Sequence, residues 1–336
     1  MKRILLLCGG RSGEHEVSLA SAKSVVHALK GQFRVSPLVI DRSGHLLSAQ
    51  ASQAALEQGA SVLSTENSSL QTIDGKAFDV VFPLLHGPYG EDGTVQGFLK
   101  LLGLPFIGSD VLGSAVGMDK PMMKAVFKAH GLPQIPYQTL NRRQWQTEPE
   151  SVLVSLQDLR YPLFVKPANL GSSVGISKAT NFDTLKNALD EAANHDRRII
   201  VEQGIENVRE LEVAVLGNDT PQASPVGEIS YNSDFYDYET KYTEGHAELQ
   251  IPADIDRGLS ERCMTLALEA FAAVDAAGLA RVDFFYDETA NALYLNEINT
   301  MPGFTTTSMY PKLWEAAGLS YSELVRRLVD LALEPR

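Results

Sequence analysis

An apolar run, Ile4 to Cys8, is halted by Gly9-Gly10 and a polar turn, Arg11-Ser12-Gly13-Glu14, and is followed by Leu19, Ala22, Val26 and Leu29 at steps of three and four. That order leaves the chain few options. A short apolar run closed by glycine reads as a buried strand, and the 3–4 spacing lays one apolar stripe along a helix, here from about Glu16 to Leu29. The pattern recurs in a second strand over 34–40 and a third over 80–85. The third ends in His86-Gly87-Pro88-Tyr89-Gly90-Glu91-Asp92-Gly93, and a helix carrying Val95, Phe98, Leu99 and Leu102 on one face comes next. Strand, glycine turn, helix, strand is the order of an open parallel sheet. The opening run is too short for the apolar region of a signal peptide, and no stretch of about 18 apolar residues reads as a membrane span.

The pattern changes near residue 118. A helix is predicted over 118–129, a linker around 141–151, strands over 161–166, 175–179 and 198–203, and a helix over 183–194, which together read as a small α+β module. Strands follow over 210–216, 223–230, 280–287 and 292–298, with a helix over 258–277 among them and a last helix over 320–332 carrying Leu324, Val325, Leu328 and Val329. Residues 43–76, rich in Ser, Gln and Gly, predict loops and a short helix. The expected division is an N-terminal α/β unit over 1–118, a small central unit over 119–208 and a C-terminal unit over 209–336. With 29 Lys+Arg against 42 Asp+Glu, the net charge of −13 does not draw the chain to nucleic acid. Cys8 and Cys263 stand far apart and no CxxC occurs, so neither a zinc site nor a redox motif is expected, and a reducing compartment fits.

Several residues carry chemistry. The turn after the first strand exposes backbone N–H groups at a helix N-terminus, which suits an anion. Its spacing is not GxGxxG and no acid ends a second strand about 20 residues on, which disfavours a dinucleotide-binding dehydrogenase. Glu14 stands at the mouth of that turn, either as a ligand or as an acid favoured by the helix dipole. His86 ends a strand where open α/β sheets place ligands, or else packs. Lys120, Lys124 and Lys128 repeat every four residues and read as a solvated stripe, with Lys120, before Pro121, the one singled out. Lys166 leaves a strand just ahead of Gly171-Ser172-Ser173-Val174-Gly175, where an ammonium and loop N–H groups can clamp phosphates. The lysine precedes the glycines, so this is no Walker A loop. Glu202 and Glu210 flank a strand-to-strand connection and can accept hydrogen bonds from sugar hydroxyls or an adenine amino group.

The strongest signal lies near the C-terminus. Strand alternation puts Arg281 and Asp283 on one face, and Glu297 and Asn299 on one face. A hairpin through 289–291 places Asp283 opposite Glu297 and Arg281 opposite Asn299. Two carboxylates and an amide oxygen suit Mg²⁺, with phosphates and water completing its shell, and an arginine beside them can stabilise developing charge. A salt-bridge ladder is the structural alternative. Met301-Pro302-Gly303-Phe304 then forms a tight turn able to bring a backbone N–H to a ligand. Phe235 to Tyr242, dense in aromatics and charges, reads as a lid or as a surface hairpin.

Taken in order, Gly9-Gly10 with Ser12-Gly13-Glu14-His15-Glu16-Val17-Ser18, Leu85-His86-Gly87 with Gly90-Glu91-Asp92-Gly93, Met118-Asp119-Lys120, Val165-Lys166-Pro167 with Gly171 to Gly175, Phe235 to Tyr242, Arg281-Val282-Asp283, and Asn296 to Thr300 with Pro302-Gly303 resemble the D-alanine–D-alanine ligases, a family of the ATP-grasp superfamily. The resemblance runs from about residue 3 to 330. It implies a three-domain α/β and α+β architecture with an N-terminal open parallel sheet, and ATP-dependent joining of two D-alanines through a D-alanyl phosphate for peptidoglycan precursor synthesis. Lys120 and Lys166 would hold the ATP phosphates with Ser172 nearby. Glu202 and Glu210 would meet adenine and ribose, with the backbone from Gln203 to Ile205 as hinge. Asp283, Glu297 and Asn299 would bind two Mg²⁺, for which Mn²⁺ can substitute. Glu14 would pair with the first D-alanine ammonium, His86 would line that site, and Ser172 and Tyr242 would link with Glu14 to close the lid. Arg281 and the Gly303 N–H would stabilise the oxyanion. Ser308 with Lys241 would meet the second D-alanine carboxylate or the transferred phosphate.

The resemblance also implies a cytoplasmic homodimer with no nucleic acid or membrane partner. Two features depart from relatives: the longer segment 43–76 and Ala168-Asn169-Leu170, to which no role is assigned. The competing readings are a ligase making D-alanyl-D-lactate and a non-catalytic nucleotide-binding regulator. The intact Arg281, Asp283, Glu297 and Asn299 argue against the regulator.

Overall fold

A computed structural model of the chain describes residues 1–58, 78–171, 175–231 and 247–335. The first apolar run forms β1 (Arg3–Gly9), which pairs in parallel with β2 (Arg34–Ile40) and β3 (Val80–Pro83) in the order β2-β1-β3. Parallel neighbours need a crossover, and α1 (His15–Ala28) supplies it between β1 and β2. The short helix expected within 43–76 is α2 (Ala49–Gln58). In α3 (Thr94–Leu101) the predicted apolar face is only half realised: Val95 and Leu99 are buried, but Leu102 lies beyond the helix end and is 41% exposed.

The helix expected over 118–129 is α5 (Lys120–Ala129), and a helix not expected from the sequence, α4 (Val111–Met118), precedes it. Asp119 between them is extended (φ −87°, ψ 99°), and its side chain accepts from the Met122 N–H as the cap of α5. Pro121, which has no N–H to give, suits only a first turn. The predicted linker at 141–151 is likewise helical, with α6 (Arg142–Thr147) and α7 (Pro149–Ser155). Asn141 and Gln144 form a reciprocal capping box at the start of α6.

The central sheet, antiparallel in the order β4-β7-β5-β6, is built from β4 (Tyr137–Asn141), β5 (Leu163–Pro167), β6 (Ser177–Ala179) and β7 (Arg198–Gln203), with α8 (Phe182–His195) on one face. The C-terminal sheet holds β8 (Arg209–Gly217), β9 (Gln222–Ala223), β10 (Gly227–Tyr231), β11 (Ala247–Gln250), β12 (Gly278–Asp287) and β13 (Ala292–Asn299) in the order β11-β10-β8-β12-β13, with β9 on β8. The single strand expected over 223–230 is split at Ser224-Pro225-Val226. Proline cannot donate to a ladder there, and the Ser224 hydroxyl oxygen accepts from the Ala214 N–H at 3.0 Å instead.

Helices α9 (Arg257–Ala273), α10 (Met309–Ala316) and α11 (Tyr321–Ala332) are the remaining helices among the described residues. Ile4 and Leu6 of β1, Val25 of α1, and Leu324, Val325 and Leu328 of α11 belong to one buried cluster. Cys8 and Cys263 are both buried and unpaired to each other, and burial pushes each thiol up to about 12. Among the described residues no helix is long and apolar enough to cross a membrane.

Candidate active site

The β12–β13 hairpin has the register expected from the sequence: Asp283 faces Glu297 and Arg281 faces Asn299. On the other side of β12, Glu212 of β8 faces Asp283. Directly paired residues share a face, so Glu212, Asp283 and Glu297 form a row of three carboxylates across three strands. Like charges so placed repel. The Arg281 guanidinium relieves part of this. Its Nε and Nη2 each donate to Asp283 at 2.7 Å, and Nε lies 2.9 Å from Glu212 Oε2. Asn299 Nδ2 donates to Asp283 Oδ2 at 2.9 Å. The one irregularity in the ladder falls between Asp283 and Phe284, where Asn296 is the extra residue of a bulge, a device that re-aims side chains beside sites. No group of three or more His, Cys, Asp or Glu among the described residues is gathered tightly enough to trap a metal unaided. The hard-oxygen set here is Asp283, Glu297 and the amide of Asn299, and its surplus negative charge suits a divalent cation.

Two lysines converge on Glu202, which is buried at 3% exposure on β7. Its Oε2 is paired with Lys166 Nζ from β5, and its Oε1 lies 2.8 Å from Lys124 Nζ. Lys124 is therefore not part of a solvated stripe: it is 1% exposed, whereas Lys128 on the same helix is exposed. Against the cost of burial, the two ammonium groups hold Glu202 down to about 2. Lys166 is raised above its ordinary value: burial works against its charge, and Glu202 and then Glu297 and Glu210 outweigh that. Lys120 braces the 168–170 stretch, its N–H donating to Ala168 O at 3.1 Å and its Nζ to Leu170 O at 2.7 Å. Gln203 accepts from the Arg160 N–H through its side chain at 3.0 Å, and Ile205 lies half-buried in the connection to β8.

Among the N-terminal residues singled out from the sequence, Glu14 reaches between two loops. A Cβ added at Gly87 would meet Glu14 Oε2 at 2.8 Å, and one added at Gly171 would meet it at 3.0 Å, so both glycines admit the carboxylate. His86 is buried, its Nδ1 is 2.9 Å from Met301 O and its Nε2 is 3.5 Å from Ser21 Oγ. The carbonyl requires the proton on Nδ1, and burial lowers the imidazole's pKa, keeping it neutral. Ser308 Oγ accepts from the Thr305 N–H at 3.1 Å and would lie 3.2 Å from a Cβ on Gly303, so the structure brings Ser308 and Gly303 together. Ser172, Lys241 and Tyr242 lie outside the described residues, as does the segment 235–242 expected to be a lid or a surface hairpin. A cavity of about 260 Å³ is lined by Gly10, Ser12, Leu85, His86, Tyr89 and Phe98 among others. It is lined by residues between Gly9 and Phe98, from loops, two strand ends and α3, and includes neither Lys166 nor the carboxylate row.

The chain matches the family model for the D-ala D-ala ligase N-terminus over residues 3–109 and that for the D-ala D-ala ligase C-terminus over residues 126–330. It is 59% identical to a D-alanine–D-alanine ligase of Deinococcus radiodurans over 337 residues, covering 100% of this chain and 99% of the relative. The chain belongs to the D-alanine–D-alanine ligase family. Among solved structures it is similar to the D-alanine–D-alanine ligase from Coxiella burnetii (TM-score 0.82, 35% identity, covering 99% of this chain and 94% of that one). It is also similar to the VanG D-Ala:D-Ser ligase from Enterococcus faecalis (TM-score 0.84, 34% identity, covering 98% and 99%).

Within this ligase fold three residues were not singled out from the sequence: Lys124, Glu212 and Glu91. Glu212 carries a readable signal, a lone acid in the otherwise apolar Leu211 to Leu216. Glu91 is half-buried in the glycine-rich loop, where its carboxylate accepts from the Gly87 N–H at 2.6 Å and the Met301 N–H at 3.1 Å. Both peptide groups of Met301 are thus held by side chains of the 86–91 loop, its N–H by Glu91 and its carbonyl by His86. Burial, and then the Glu14 carboxylate, push Glu91 up to about 8 despite those two donors.

A folded-state value above the ordinary 4.5 makes protonation favour the folded chain. This contribution is complete below about pH 4.5 and is lost as pH rises through about 8. The thermal midpoint should therefore fall across that window in the wild type and fall less in Glu91→Gln, which cannot titrate. Equal slopes in the two proteins would mean that Glu91 stays ionised in the folded chain.

Proposed function

We propose that this chain joins two D-alanines to D-alanyl-D-alanine with conversion of ATP to ADP and phosphate, for peptidoglycan precursor synthesis. Family membership over the whole length supports the reaction. The observation that carries the site is the in-register face of Arg281, Asp283, Glu297 and Asn299. A carboxylate oxygen of the first D-alanine attacks the γ-phosphorus and the bond to the β-phosphate oxygen breaks, leaving ADP and a D-alanyl phosphate. The second D-alanine, its amine deprotonated, attacks the acyl carbon. The tetrahedral intermediate then expels phosphate as the peptide bond forms.

In this reading Lys120 and Lys166 hold the phosphates, Glu202 and Glu210 meet adenine and ribose, and the backbone from Gln203 to Ile205 serves as hinge. Glu14 pairs with the first ammonium beside His86, and Tyr242 with Ser172 ties the lid to Glu14. Arg281 and the Gly303 N–H face the oxyanion, and Ser308 with Lys241 the second carboxylate or the phosphate. Asp283, Glu297 and Asn299 would hold two Mg²⁺ ions, or Mn²⁺, which would neutralise phosphate charge. The division into units at 1–118, 119–208 and 209–336 belongs to the same proposal. Family membership alone supports the homodimer and the cytoplasmic setting.

The test is phosphate release from ATP with D-alanine, L-alanine, D-lactate and D-serine compared, and the mass of each product. D-alanine alone should support release, with the dipeptide as product. A D-alanyl-D-lactate or D-alanyl-D-serine product in preference to the dipeptide from mixed substrates would reassign the second site, and ATP binding without any turnover would favour the regulator.

A further inference from the structure

Lysines 124 and 166 share one carboxylate but are held differently. The Lys124 side chain is 2% accessible and contacts three elements: its Nζ is 2.8 Å from Glu202 Oε1 on β7, donates to Asn296 O in the β13 bulge at 3.3 Å, and lies 5.7 Å from the ring centroid of Tyr137 on β4. Lys166 is more open, with 12% of its side chain accessible, and among the described residues it pairs with the other oxygen of Glu202. The charges of Glu297 and Glu210, on the C-terminal sheet, act on the Lys166 ammonium from across the gap between the sheets.

We propose that Lys124 is the standing counter-ion of Glu202, which frees Lys166 to leave that carboxylate and bind the phosphate chain of ATP. The inference rests on the reading of Lys166 as a phosphate ligand. A carboxylate this deeply buried cannot lose its only cation without a large penalty. With Lys124 in place, Glu202 stays compensated when Lys166 swings away, and its Oε1, which has no hydrogen bond of good geometry in the described structure, keeps capacity for a donor such as an amino group. The depressed value of Glu202, set by both lysines, agrees: the carboxylate is ionised and needs a cation at all times. Lys124 is thus a positioning residue that acts through Glu202 and Lys166.

The prediction is read from the ratio of ATP to adenosine affinity, measured by calorimetry on the purified enzyme with Mg²⁺. In Lys124→Met, Glu202 retains Lys166, so ATP binding should weaken about tenfold or more while adenosine binds as in the wild type. Equal weakening of both ligands would make Lys124 a part of the adenine site, and no weakening of either would make it packing; each overturns the proposal. Should the single variant fail to fold, Lys124→Met/Glu202→Gln removes both charges and should restore the wild-type ratio, because Lys166 then has no buried carboxylate to serve. A ratio that stays low in that variant overturns the proposal. Lys166→Met tests the underlying reading separately: if its ratio equals that of the wild type, Lys166 is not the phosphate ligand, whatever Lys124 does.

Discussion

Asp283→Asn and Glu297→Gln are each expected to abolish D-alanine-dependent phosphate release while the protein stays folded. Neither substitution changes side-chain volume appreciably, and each removes one negative charge from a row of three facing carboxylates, Glu212, Asp283 and Glu297. Since like charges directly opposite destabilise a sheet, the thermal midpoint should hold or rise slightly in Glu297→Gln. Asp283→Asn gives up part of the Arg281 fork but leaves Glu212 as partner, so its midpoint should drop little. A bound cation contributes several kcal/mol of charge stabilisation. At about 1.4 kcal/mol per tenfold, that is a loss on the order of 10³-fold in kcat. Turnover and Mg²⁺ dependence like those of the wild type would show that the row is a structural ladder, as would an activity loss that merely tracks unfolding.

The second large effect is expected at Arg281. Its fork spans two acids at once, with both donors to Asp283 at 2.7 Å and Nε 2.9 Å from Glu212. Arg281→Lys keeps the charge, but a single ammonium cannot reproduce the planar, bidentate contact. If the guanidinium faces charge that develops only in the transition state, kcat should fall by about 10²-fold or more with the KM values for ATP and D-alanine little changed. A rise confined to KM would move Arg281 to substrate binding.

What was legible in the sequence follows from the range over which each signal acts. The β12–β13 face could be read because strand alternation is local and a short turn leaves few registers. The parallel N-terminal sheet could be read for the same reason, from apolar runs punctuated by glycine. Lys124 could not. Lys120, Lys124 and Lys128 have identical spacing along α5, and what buries the middle one is a carboxylate on β7, more than 70 residues away in sequence. Glu91 was visible only as one acid of a polar loop, and one of its two donors, the Met301 N–H, is 210 residues away in sequence. The start of α5 was legible in Asp119 and Pro121, whereas α4, which carries Gly113 and Gly117, was not.

One feature of the fold bears on how the protein is made. Ile4 and Leu6 share a core with Leu324, Val325 and Leu328, Lys2 pairs with Asp330 at 3.0 Å, and the Ser322 hydroxyl donates to Ala28 O at 3.2 Å. The strand that leaves the ribosome early is covered by a helix that leaves it late. With synthesis at about 5–20 residues per second, tens of seconds pass in which the first sheet has no lid for one side of its core. The N-terminal unit completes this core only once α11 has emerged. Over that interval the apolar side chains of β1 and α1 that α11 covers stay open to solvent.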